Sequence, residues 1–109
     1  MEVRVRKTGA ETIVQIRGSI RIDVARRLRN DLLEASQGVT RLVIDLSGVD
    51  YTDSSGLATL LECMKRLEKA RGTMVLTGVQ HQVMEIFKIA QLEQIFDIES
   101  SSNGNAASA

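Results

Sequence analysis

The chain has 109 residues, and its 14 basic and 14 acidic side chains cancel. Folding at this length buries roughly two thirds of the unfolded surface, which suffices for one core and not for two domains. Zero net charge creates no long-range field for nucleic acid or anionic lipid, and one Tyr with two Phe gives no stacking platform for single strands.

Cys63 is the only cysteine, so no internal disulfide can form. With no signal-like N-terminus and no apolar run near the ~18 residues of a spanning helix, the expected setting is the cytoplasm, without membrane contact.

"EVRVRK" and "TIVQIR" alternate apolar and polar residues around Gly9, which predicts a hairpin with one buried face. In "RIDVARRLRNDLLEA", Ile22, Ala25, Leu28, Leu32 and Leu33 recur at helical spacing, with Asp23 as the expected N-cap and "SQG" as the stop. "RLVIDL" is a short apolar run, expected as a strand covered on both faces.

A second helix is predicted from about Asp53 to Ala70, with Leu57, Leu60, Leu61, Met64 and Leu67 on its apolar stripe and Gly72 as its stop. Cys63 falls beside that stripe and is expected half-buried. "TMVLTGV" predicts another strand. A third helix carries Val83, Ile86, Phe87 and Ala90, and "IFDI" predicts a short last strand. The stretch 100–109, without any large apolar residue, is expected to be a disordered tail after a domain over 1–99.

Strand, helix and strand from Arg41 to Val79 make a right-handed parallel unit, and the opening hairpin adds antiparallel pairing. The expected fold class is therefore α/β. It is a single domain with a mixed sheet of four or five strands and the helices mainly on one face.

Few constellations could carry chemistry. Thr52 and Asp53 stand where a nucleophile elbow around Ser54 or Ser55 would need glycine. The only base of the right kind is His81, at the start of the third helix, so a small serine hydrolase is a minor alternative. Asp45 ends an apolar strand as a phosphate-accepting aspartate would, but "VRVRK" supplies no acids for Mg²⁺. One Cys and one His make no metal site, and no glycine-rich phosphate loop occurs, so neither metal nor cofactor is expected. Arg21, Arg26, Arg27 and Arg29 form a basic cluster that reads as a solvated helix face.

What remains is Asp53-Ser54-Ser55-Gly56 at a helix start. Capping explains one of the acid and hydroxyls, because their oxygens satisfy free backbone N–H groups. It does not explain Gly56, which costs the helix about 1 kcal/mol relative to Ala. A first turn without a Cβ lets another surface come close, so the stretch reads as a docking face with a modifiable serine.

"LVIDLSGVDYTDSSGLATLL" resembles the signature of STAS domains, in particular bacterial anti-sigma factor antagonists. "GSIRIDVARRL" (Gly18 to Leu28) and "VMEIFKIAQLEQIF" (Val83 to Phe96) are similar to further segments of that family. The resemblance implies a mixed sheet with helices on one side and a binding module without activity of its own. It also implies that Ser54 (alternatively Ser55) is phosphorylated by the partner, an anti-sigma factor with a histidine-kinase-like ATPase fold. A PP2C-type phosphatase would reverse the reaction. The unphosphorylated form would bind the anti-sigma factor and release the sigma factor.

The partner-binding residues so implied are Arg21, Asp23, Asp53, Ser54, Ser55, Gly56 and Leu57, on a monomer or weak dimer. Two positions depart from the family pattern: Arg21 stands where an Asp is usual, and Gln91 where a Gly is common. A STAS subunit of another assembly, a stressosome-like scaffold or a lipid-transport accessory, is the alternative within the family.

Overall fold

The computed structural model describes residues 1–99, so the expected tail lies outside the described residues. The elements are β1 (Glu2–Thr8), β2 (Glu11–Arg17), α1 (Ile22–Ala35), β3 (Arg41–Gly48), α2 (Ser54–Lys69), β4 (Thr73–Thr77), α3 (His81–Ile89) and β5 (Asp97–Glu99). The sheet order is β1-β2-β3-β4-β5, antiparallel in the first pair and parallel in the others. Each crossover from β2 onward advances one strand in the same direction. Right-handed crossovers of that kind put all three helices on one face.

Strand alternation then builds the core. Val14 and Ile16 of β2, Leu42, Ile44 and Leu46 of β3, and Met74 and Leu76 of β4 pack with Leu28, Leu60, Phe87 and their helix neighbours. Phe96, just before β5, meets Phe87 edge-on with ring centroids 5.4 Å apart.

Among the described residues the opposite face carries no helix, which corrects the reading of β3 as covered on both sides: Val43 and Asp45 are only half-buried. Arg41 is held there between Glu11 at 3.0 Å and Glu99 at 3.2 Å. The hairpin exists as expected, but β1 is an edge strand with little cover. Val5 stays 47% exposed and Val3 half-buried.

Two further expectations change. Cys63 is 3% exposed, inside the α1/α2/sheet core, and burial pushes its thiol up to about 11. The left-handed residue that ends α2 is Arg71, at φ 65°, and not Gly72. Gly72 instead donates its N–H to Leu67 O at 2.8 Å, where a Cβ would press on the Leu67 side chain at 2.9 Å.

Candidate functional site: two apposed loops around Asp53

In parallel strands the carboxyl ends lie together, so the loop after β2 runs beside the loop after β3. Gly18 N–H donates to Gly48 O at 2.9 Å, Ile20 N–H to Tyr51 O at 2.9 Å, and Asp53 N–H to Ile20 O at 3.0 Å. Ile20 and Thr52 thereby form a parallel bridge, and both side chains point inward, 1% and 2% exposed. Alternation turns their neighbours Arg21, Tyr51 and Asp53 outward. The Arg21 guanidinium lies over the Tyr51 ring, 4.3 Å from its centroid, and Ser19 Oγ donates to Asp50 Oδ1 at 2.9 Å.

Asp53 is the N-cap of α2. Its Oδ1 accepts the backbone N–H of Ser55 at 3.0 Å and of Gly56 at 3.2 Å, and also the Ser55 hydroxyl. Its Oδ2 accepts the backbone N–H of Ile22 at 2.9 Å. One carboxylate therefore caps two helices.

This corrects the placement of Asp23 as cap. The N-cap position of α1 is Arg21, which makes no side-chain cap, and Asp23 sits in the first turn. Ile22, expected on the apolar stripe, is 73% exposed and is the first residue of a helix that begins two residues earlier than an Asp23 cap allows.

The donors around Asp53 lower its pKa, with the Ser55 hydroxyl the largest cause, ahead of the Gly56, Ile22 and Ser55 N–H groups and against the cost of desolvation. A carboxylate so saturated stays ionised and is not poised to take a proton from Ser54.

The two serines have different situations. Ser55 is half-buried and tied to Asp53. Ser54, the first residue of α2, is exposed, and among the described residues its hydroxyl makes no hydrogen bond. His81 opens α3, exposed, and is hydrogen-bonded to neither serine among the described residues.

The close approach that Gly56 permits is internal. A Cβ there would meet Thr52 Oγ1 at 2.1 Å and Ile20 Cγ2 at 2.8 Å. Gly56 and Leu57 are both buried. Arg21, Asp23 and Ser54 are exposed around the half-buried Asp53 and Ser55.

Tyr51 was not singled out by sequence. Its signal is faint: the only tyrosine of an aromatic-poor chain, placed in the loop before the Asp-Ser-Ser-Gly turn. Groups of three or more potential metal-ligating side chains are absent among the described residues, and no described helix is long and apolar enough to cross a membrane.

Comparison with known proteins agrees with this fold. The model of the family described as "Mlab, STAS domain" matches residues 3–98. A putative anti-sigma factor antagonist, BtrV, from Bordetella bronchiseptica is 30% identical over 108 residues, covering 98% of this chain and 93% of that protein. The crystal structure of a putative anti-sigma factor antagonist from Thermotoga maritima superposes with a TM-score of 0.83 at 17% identity, covering 95% of this chain and 90% of that one. The Bacillus cell fate determinant SpoIIAA in its phosphorylated form gives 0.73 at 18% identity, covering 96% of each chain. At those identities the two structures speak for the fold, and the family model and the Bordetella relative speak for descent. The chain belongs to the STAS domain family, among the anti-sigma factor antagonists.

Proposed function

We propose that this protein is a phosphorylation-controlled antagonist of an anti-sigma factor and that Ser54 is its switch. The observation that carries the reading is the contrast between the two hydroxyls: Ser54 is exposed and makes no hydrogen bond among the described residues, whereas Ser55 is held by Asp53. A partner kinase bound over the start of α2 reaches Ser54 without unmaking the cap. In the transfer, Ser54 Oγ forms a bond to the γ-phosphorus of a nucleoside triphosphate. The bond to the departing diphosphate breaks, and the hydroxyl proton passes to a base of the kinase, since Asp53 is saturated.

The phosphate adds about −1.5 to −2 charges at the N-terminus of α2, where the helix dipole tolerates them. The protein itself keeps its shape. The partner instead meets a dianion beside Asp53, and a like-charge contact is worth about 4 kcal/mol at an effective dielectric near 20. About 2.8 kcal/mol already lowers affinity a hundredfold. A PP2C-type phosphatase restores the binding form. That a structural relative, SpoIIAA, has been described in a phosphorylated form supports the same reading.

The test is to recover the protein with its bound partners from its source cells, identify them, and incubate the purified partner with ATP and this protein. The expected result is an ATP-using anti-sigma factor that phosphorylates Ser54. Phosphate on Ser55 alone overturns the site. A partner without kinase activity favours the STAS subunit of another assembly.

A further inference from the structure

Arg21 breaks a local rule. Cap positions favour Ser, Thr, Asp or Asn, and a cation at the positive end of a helix is unfavourable. Here the α1 cap comes from Asp53, so Arg21 contributes nothing to it. The two apposed loops, 18–23 and 48–56, carry three carboxylates, Asp23, Asp50 and Asp53, with Arg21 as their only cation. Asp50 is engaged by Ser19 and Asp53 by backbone donors. Among the described residues Arg21 forms no ion pair, and its guanidinium rests on the Tyr51 ring. The cation is held at the site without an anion.

The missing anion has a place. Ile22 N–H and Ser55 N–H bind the two oxygens of the same carboxylate, at 2.9 and 3.0 Å. Arg21 and Ser54 immediately precede those two donors, and both are exposed. We infer that Arg21 is a latch for phosphoserine 54: its guanidinium rests on Tyr51 while Ser54 is free and moves to the phosphate once Ser54 is modified, uncovering the Tyr51 ring. A cation over an exposed aromatic ring is a weak interaction, whereas guanidinium and phosphate form paired, charge-assisted hydrogen bonds, so the exchange runs toward the phosphate. The latch relieves the repulsion of a dianion set among three carboxylates. It also changes the surface at Tyr51 as well as at Ser54, so a partner sees a modified patch and not a single added group.

This inference rests on Ser54 being the modified residue, and its test needs no kinase. Phosphoserine is installed at position 54 during translation, in the wild-type background and in Arg21→Gln, whose exposed site leaves the fold intact. Phosphorus NMR then follows the second ionisation of the phosphate with pH. Tyr51 is the only tyrosine and there is no Trp, so intrinsic fluorescence reports the ring alone. The expected result is a phosphate pKa about half a unit or more lower with Arg21 than with Gln. Tyr51 emission should change on phosphorylation in the wild type and not in Arg21→Gln, and Arg21→Lys should fall between. Equal phosphate pKa values in the wild type and Arg21→Gln overturn the latch whatever the emission does. If instead no kinase uses Ser54, the function proposed above fails, while the installed phosphoserine still decides the latch.

Discussion

The Asp53 carboxylate accepts the backbone N–H of Ile22 at 2.9 Å, across 31 positions of sequence, while it caps its own helix through Ser55 and Gly56. The starts of α1 and α2 are therefore one structural unit. Replacing Asp53 by Ala removes both caps and should lower unfolding stability by about 2 kcal/mol, near the top of the range for a single cap. Urea unfolding measures it, and Asp53→Asn should lose less, since an amide oxygen still accepts.

The lowered pKa of Asp53 gives that contribution a pH dependence. The folded value lies below the unfolded one, so the stabilisation is complete above the ordinary carboxyl range near ~4 and is lost as pH falls through the folded value. Stability curves for the wild type and Asp53→Asn should converge on the acid side. Parallel curves through that range count against the assignment.

Because the cap is Asp53, Ser54→Ala should change stability by less than about 0.5 kcal/mol, while Ser55→Ala should cost about 1 kcal/mol through loss of its bond to Asp53. Binding and phosphorylation should behave in the opposite way. Ser54→Ala should bind the anti-sigma partner like wild type and resist phosphorylation, and Ser54→Asp should bind at least tenfold more weakly. Ser55→Ala should remain a substrate. Titration of the three variants with and without ATP reads these outcomes.

Gly56→Ala gains about 1 kcal/mol of helix propensity but drives a Cβ into Thr52 Oγ1 and Ile20. The net expectation is a loss of about 2 kcal/mol, with the two loops forced apart. A stabilised Gly56→Ala protein would show that the bridge between Ile20 and Thr52 yields easily.

Two positions should accept stabilising changes. Thr12 is fully buried on the helix-covered face and its hydroxyl finds no partner among the described residues, so Thr12→Val should leave stability unchanged or raise it by up to about 1 kcal/mol. Gln91 holds φ 60° just past α3, donating its N–H to Lys88 O at 3.0 Å, with Leu92 N–H on Phe87 O at 2.8 Å. That is the left-handed position of a helix end, so Gln91→Gly should gain about 1 kcal/mol. Thermal melts of both variants check the signs.

Period and residue chemistry carried much of this protein on their own. Two-residue alternation marked β1 and β2, helical spacing marked three helices, and Asp53-Ser54-Ser55-Gly56 marked a helix start. These are legible because each depends on residues within one or two turns of one another. What the tertiary structure decided lies between segments about thirty residues apart. Asp53 displaced Asp23 as the cap of α1, because the loop after β3 runs beside the loop after β2 and brings in a better acceptor. The same pairing spent the missing Cβ of Gly56 on Ile20 and set Arg21 on Tyr51. Cys63 went from beside the stripe to inside the core because α1 closes over that side of α2. Backbone register between parallel strands sets such contacts, and no local pattern in either segment encodes which residue of the other it will face.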